Sequence, residues 1–326
     1  MPRQLILAFC EVVLLFVLSY QGMAQRTTAV LSGVLTDESG AILPGANVVV
    51  LNAETGIQRT ASTDEKGDFV VTELAPGPYQ VTVTLSGFET LVRKGITLVV
   101  GQKANVALVM KIGAVTEQVT VTGEAPLVNT STSAVSGVVE EQRILDLPLN
   151  GRDFSQLPLV IPGVYSVRNT DSIATKGYGT RVSMAGSRPD QTSWLLDGTN
   201  INSMSNFGTP GSAASLMLGV DAVREFQVLT SNYSAEFGGT SGGVVNMVSK
   251  SGGNELHGTA YYDIRNSVLD ARNFFDVSKP PFKRNQFGGS LGGRIKKDKT
   301  FFFGNYEGLR QRLGLTTLVQ IRSADF

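Results

Sequence analysis

From Thr27 onward the chain alternates short apolar and polar positions between clusters of turn residues, and this period of two predicts strands rather than helices. Seven such runs precede residue 112: Ala29 to Thr36, Ala46 to Asn52, Ile57 to Thr63, Phe69 to Leu74, Tyr79 to Ser86, Thr90 to Leu98 and Lys103 to Met110. Between them stand Asp37-Glu38-Ser39-Gly40, Pro44-Gly45, Thr55-Gly56, Glu65-Lys66-Gly67 and Pro76-Gly77-Pro78, which supply the positive or fixed φ of tight turns. In the fifth run Tyr79, Val81, Val83 and Leu85 share one face, and Gln80, Thr82 and Thr84 the other. One buried face and one wet face predict a sandwich of antiparallel sheets. Farther on, Gly243 to Ser249 reads as one short apolar strand, with glycines 238, 239, 242 and 243 ahead of it for close backbone approach.

After Asn254 the runs lengthen. Ala260, Tyr262 and Ile264 alternate with Thr259, Tyr261, Asp263 and Arg265, and Phe287, Leu291 and Ile295 with Gln286, Ser290, Arg294 and Lys296. Phe302 and Tyr306 oppose Asn305 and Glu307, and a last run sets Leu315, Val319 and Ile321 against Thr316 and Gln320. This alternation suits a transmembrane barrel or a half-buried soluble sheet. Connection lengths favour the barrel: Asn266 to Lys283 is long and polar, whereas Lys297-Asp298-Lys299 is short.

The first residues break the pattern. Arg3, an apolar run from Leu5 to Leu18, and Gly22-Met23-Ala24 predict a signal peptide over 1–24, cut between Ala24 and Gln25. That run falls short of the roughly 20 apolar residues of a spanning helix and contains Glu11. Such a cut removes Cys10, the only cysteine, leaving no disulfide and no thiolate metal site. Lys plus Arg equals Asp plus Glu at 28 each, so there is no basic field to hold nucleic acid. With one histidine, His257, the chain lacks the two that zinc peptidase chemistry needs. Gly239-Thr240-Ser241-Gly242-Gly243 matches a nucleophile-elbow pattern, but Glu255 and His257 follow too closely for a triad, so a glycine-rich turn is expected. Asp197 with Asp190 or Asp221 likewise reads as turn chemistry and not as a glycosidase pair. No cofactor is expected.

Several of these segments resemble known families. Gly33-Val34-Leu35-Thr36-Asp37, Leu43-Pro44-Gly45-Ala46, Thr63-Asp64-Glu65-Lys66-Gly67, Leu74-Ala75-Pro76-Gly77-Pro78-Tyr79 and Ser86-Gly87-Phe88 resemble the carboxypeptidase regulatory-like domain, implying a seven-stranded, transthyretin-like sandwich. Leu147-Pro148-Leu149-Asn150-Gly151-Arg152-Asp153-Phe154, Pro162-Gly163-Val164, Gly186-Ser187-Arg188 and Leu195-Leu196-Asp197-Gly198 resemble the plug of TonB-dependent receptors, Oar-like subgroup. So do Val223-Arg224-Glu225-Phe226-Gln227-Val228 and the run from Tyr233 to Gly252. Asn285 to Gly293 and Lys299 to Glu307 resemble the start of that subgroup's barrel, although Arg294 stands where proline is expected. Glu117, Gln118, Val119, Thr120, Val121, Thr122 and Gly123 resemble the TonB box, a segment that adds to a partner's sheet edge, and equally suit a first strand of the plug.

The expected fold is therefore mainly β: signal peptide 1–24, regulatory-like sandwich 25–112, linker with the box 113–123, α+β plug 124–252, and the first strands of an incomplete transmembrane barrel over 253–326. Four strands cannot close where the smallest bacterial barrels have about 8 and plugged ones about 22. A truncated chain unable to transport by itself is thus the expectation. The resemblance implies an outer-membrane receptor, its N-terminal domain periplasmic, importing a large or scarce ligand with TonB and its inner-membrane energising complex as partners. Outer-membrane lipid would surround it. The alternative is a secreted or surface protein that binds glycan through the sandwich.

Overall fold

The computed structural model describes residues 27–113, 118–122, 135–147, 149–167, 181–203, 208–210, 219–272, 274 and 278–314. The predicted leader, with Ala24 and Gln25, and the predicted strand near residues 315–321 lie outside them. No described helix is long and apolar enough to cross a membrane.

The seven N-terminal runs form seven strands: β1 (Ala29–Asp37), β2 (Asn47–Asn52), β3 (Gln58–Ser62), β4 (Asp68–Leu74), β5 (Gly77–Thr84), β6 (Thr90–Leu98) and β7 (Lys103–Met110). An eighth, β8 (Gln118–Thr122), joins them, giving a three-stranded sheet β4-β1-β7 facing a five-stranded sheet β3-β2-β5-β6-β8. The inward positions of both sheets, among them Leu31, Leu35, Phe69, Val81, Val83, Leu98 and Leu108, make one sealed core. At the β2 edge buried Thr63 donates to the Leu43 carbonyl (2.7 Å) and accepts from the Ala46 amide (2.9 Å), pinning the loop that precedes β2. The sheets are not purely antiparallel, as the alternation had suggested: β1/β7 and β6/β8 pair in parallel. Strands joined by a hairpin must be antiparallel, but β6 and β7 lie in opposite sheets, so the crossing sets the direction of β7.

A second unit holds β9 (Val135–Glu140), a short helix α1 (Glu141–Asp146), β10 (Val164–Val167), β11 (Arg181–Met184), β12 (Ser193–Leu196), β13 (Thr199–Asn200), β14 (Val223–Ser231) and β15 (Val244–Ser249). Its main sheet runs β13-β12-β15-β14-β9, with β12/β15 parallel, and β10-β11 form a separate ribbon. Trp194, Phe154 and Phe226 are fully buried between them, the first two edge to face at 6.3 Å. Each such ring contributes about 1.5–3 kcal/mol relative to exposure.

The third unit is an antiparallel meander of long strands, β16 (His257–Asn266), β17 (Phe282–Lys296) and β18 (Thr300–Leu313). Tyr262, Ile264, Leu291, Ile295 and Tyr306 point away from the rest of the protein and are exposed. Phe287 lies between Tyr262 and Tyr306 at ring separations of 6.4 and 6.3 Å. An apolar outer face with aromatic packing is the predicted barrel alternation.

Candidate functional site

β8 holds five residues of the predicted box, Gln118, Val119, Thr120, Val121 and Thr122; Glu117 and Gly123 lie outside the described residues. The strand pairs in parallel with β6, setting Leu91 opposite Val119 and Arg93 opposite Val121. It therefore extends the sandwich sheet and takes no place in the sheet of the second unit, the other position its sequence had allowed.

A second group of residues joins the sandwich to the middle unit. In the run Val223 to Val228, Phe226 and Val228 enter the middle unit's core. Glu225 and Gln227, on the opposite side of the strand, are also buried. Alternation alone would expose them; the loop after β6 covers them instead. The Val100 amide donates to the Glu225 carboxylate, and Gly101 sits against the Gln227 amide, where an added Cβ would lie 3.0 Å from its oxygen. Burial pushes the Glu225 carboxyl up to about 7, against the lowering effects of the Val100 amide and Arg224 and with a small further rise from Glu140. Beside it Arg224 pairs with Glu54 of the sandwich at 2.8 Å. Lys250, almost wholly buried, pairs with Glu141 at 2.9 Å. A cavity of about 510 Å³ at this junction is lined by these four charged residues and His257.

A third group lies between the middle unit and the meander. The motif residue Arg152 pairs with Asp221, approaches Asp263 at 4.0 Å and stacks over the Tyr261 ring at 3.9 Å. Asp221 also accepts from the Thr259 hydroxyl at 3.0 Å. Gln286 donates to the Gly151 carbonyl at 2.9 Å and to Glu307. Part of the polar face of β16–β18, at Thr259, Asp263 and Gln286, thus bonds to the middle unit. At the short turn of the meander, Asp298 and Asn254 exchange hydrogen bonds of 2.8 and 3.0 Å, and the Asn254 amide donates to the Glu54 carbonyl at 2.8 Å. This joins all three units at one end, opposite the long connection between β16 and β17.

The declined chemistry also has a place. Asp197 occupies the turn between β12 and β13 at φ +49° and accepts from the Ser249 amide (2.9 Å) and hydroxyl (2.6 Å). Gly242 lies so near the Gln191 carbonyl that a Cβ would be 2.6 Å from its oxygen, and Gly243 packs against Met184, as close approach requires. Gly239 instead supplies a positive φ of +82° in open space. Glu225, Asp221 and Gln286 carry the interfaces, yet Asp221 was legible only as turn chemistry, Glu225 only as part of a motif and Gln286 only as a polar alternate position. Nothing local assigned any of them a partner.

A sandwich, a mixed-sheet unit and an amphipathic meander seated on that unit have the form of a plug and the first wall strands of an outer-membrane barrel. The chain matches the family models of the Carboxypeptidase regulatory-like domain over residues 30–111, the TonB-dependent Receptor Plug Domain over 128–245 and the Outer membrane beta barrel domain over 248–325. The TonB-dependent transporter Oar of Myxococcus xanthus is 27% identical over 281 residues, 81% of this chain and 25% of Oar. The probable TonB-dependent siderophore receptor PirA of Acinetobacter baumannii is 27% identical over 52% of this chain and 22% of its own length. The solved structure of the siderophore receptor PirA from Acinetobacter baumannii superposes with a TM-score of 0.40, 25% identity, over 53% of this chain and 24% of that one. The chain thus spans about a quarter of the length of these curated relatives. It belongs to the TonB-dependent outer-membrane receptors, with the Oar-like arrangement of a regulatory-like sandwich ahead of the plug.

Proposed function

We propose that this chain serves active import across the outer membrane as part of a receptor that takes up a large or scarce ligand, energised by TonB and its inner-membrane complex. The observation that carries this reading is the seating of the plug against the polar face of β16–β18 through Arg152, Asp221, Thr259, Gln286 and Gly151. A sheet whose polar side is occupied by a plug and whose other side is apolar suits a lumen wall in lipid. The residues in named roles are Glu117 to Gly123 as the TonB box, Ala24 and Gln25 as the leader cleavage site, and 25–112, 124–252 and 253–326 as sandwich, plug and barrel start. No residue is assigned a catalytic role.

PirA is named for siderophores, and a Pseudomonas aeruginosa relative, 31% identical over 32% of this chain and 15% of its own length, is named ferric enterobactin receptor. Ferric chelates are therefore the first ligand class to assay. The alternative of a free glycan-binding sandwich is disfavoured because Glu54, Val100 and Gly101 are committed to the plug. Photocrosslinking from Val119 or Val121 in intact cells tests the partner: the expected outcome is a TonB adduct in the outer-membrane fraction. Recovery of the chain as a soluble periplasmic protein with no adduct would end this proposal.

A further inference from the structure

Resting on the receptor function proposed above, we infer that the short turn between β17 and β18 is a binding surface for an anionic phospholipid of the periplasmic leaflet. Its three lysines, Lys296, Lys297 and Lys299, are exposed, and no ion pair among the described residues involves them. The turn is tight: the Lys299 amide donates to the Lys296 carbonyl at 3.2 Å, with Asp298 between them at φ +57°. Its one acid does not answer the lysines. The Asp298 carboxylate accepts from the Asn254 side-chain amide at 2.8 Å and lies against Gly56 of the sandwich, leaving no room for a Cβ there. The turn therefore meets the protein with its anion and the surroundings with three cations held close together.

The neighbouring outer face says what those cations meet. Ile295 is 70% exposed and Phe302 37%, and both belong to the apolar side of the meander that continues through Leu291 and Tyr306. Ile295 directly precedes the lysines and Phe302 follows them, so the apolar band ends where the positive charge begins. Lysine suits that boundary, because its stem covers apolar surface while its ammonium reaches the polar layer and offers three donors to phosphate oxygens. A soluble partner would have to reach the lysines beside a face turned to lipid; headgroups are there already. Among headgroups, charge decides. Phosphatidylglycerol keeps the negative charge of its phosphodiester, whereas a choline headgroup cancels it internally. Attraction to an anionic surface is worth about fivefold in affinity per lysine. A lipid held here sits beside the joint of Asp298, Asn254 and Glu54, and so ties the corner where the three units meet to the membrane surface.

The test titrates the full chain in dodecyl maltoside with dioctanoyl phosphatidylglycerol or dioctanoyl phosphatidylcholine and counts bound lipid by native mass spectrometry. A turn variant, Lys296→Gln with Lys297→Gln and Lys299→Gln, is compared with a control that removes three exposed sandwich lysines, Lys66→Gln with Lys94→Gln and Lys103→Gln. Phosphatidylglycerol is expected to bind the unaltered chain and the control alike, and more tightly than phosphatidylcholine. The turn variant should bind phosphatidylglycerol about tenfold or more weakly, and added sodium chloride should weaken its binding to the unaltered chain. Circular dichroism matched to the unaltered chain is the folding control, and Lys297→Gln alone, with a partial loss expected, stands in if the triple variant misfolds. Equal affinity for the two lipids would overturn the inference, as would an equal loss in the sandwich control, which would make the effect one of net charge. Displacement of the lipid by an equal concentration of inorganic phosphate would overturn it too, since the turn would then serve a soluble anion. If the chain stays in solution without detergent and takes up neither lipid, the receptor reading itself fails; a chain that needs detergent but binds both lipids equally loses the lipid site alone.

Discussion

Glu225 shows how a residue without a catalytic role can still govern the assembly. Its carboxyl is buried where the sandwich meets the plug and is pushed up to about 7, so the folded state favours the proton more than the unfolded state does. With the folded value raised above the ordinary 4.5, its contribution is fully present below about pH 4.5 and is lost as pH rises through 7. Glu225→Gln keeps an acceptor for the Val100 amide but cannot ionise. Thermal unfolding of this variant should lose this group's share of the pH dependence between 4.5 and 7 and show a gain at pH 8 on the order of 3 kcal/mol. An unchanged pH profile would mean that the site stays wet. Arg152 poses the opposite case, since its loss strands a charge. Arg152→Met leaves Asp221, 3% exposed, with the Thr259 hydroxyl as its side-chain partner among the described residues, at a cost of about 3–5 kcal/mol. Arg152→Met with Asp221→Asn should cost clearly less, and a double-mutant cycle on the unfolding midpoint reads the difference. Additive effects would show that the two side chains do not meet.

At the scale of elements, the two faces of β16–β18 answer to different solvents. Ile264 is 62% exposed on the outer face, whereas Thr259 and Asp263 face the plug. Arginine on a lipid-facing barrel position costs about 2–4 kcal/mol at mid-membrane and falls towards zero at the interfaces. Ile264→Arg should therefore lower the amount of receptor recovered in the outer membrane in a full-length setting, while Thr259→Ala should leave that amount unchanged. Equal losses from both would mean that the outer face is not lipid-facing. β14 makes the same point inside the plug. Both of its sides are covered, one by the aromatic core and one by the loop after β6, so a strand with polar residues at alternate positions is nevertheless buried throughout its centre.

For the molecule as a whole, the three units meet at one end, where Glu54, Arg224, Asn254 and Asp298 form a continuous polar junction. The Arg224 and Glu54 pair is partly exposed, so deleting it should cost at most about 1 kcal/mol. Reversing one sign does more, because like charges then meet across the joint. Arg224→Glu should separate unfolding of the sandwich from that of the plug in calorimetry, and Arg224→Glu combined with Glu54→Arg should restore a single transition. A single transition in every variant would show that the buried Glu225 contact suffices to couple them. The junction also fixes orientation: the short turn at Asp298 lies beside the sandwich, and the long β16–β17 connection lies at the far end. Long loops on one side and tight turns on the other are the asymmetry of outer-membrane barrels.

Much of this was written in the linear sequence, and the reason is local. A period of two with glycine and proline at the turns fixes which residues face inward, so the seven sandwich strands appear within a residue or two of their predicted bounds, and the outer face of the meander falls on the predicted apolar positions. Asp197 and the glycines at 239, 242 and 243 followed for the same reason, since turn geometry and close approach depend on immediate neighbours. What no window of sequence contained was which surfaces meet. The parallel direction of β7, the attachment of β8 to β6, the burial of Glu225 and the Arg152–Asp221 pair each join segments far apart along the chain. Such contacts are selected by the packing of whole sheets against one another, and a side chain's partner across that packing leaves no trace in its own neighbourhood.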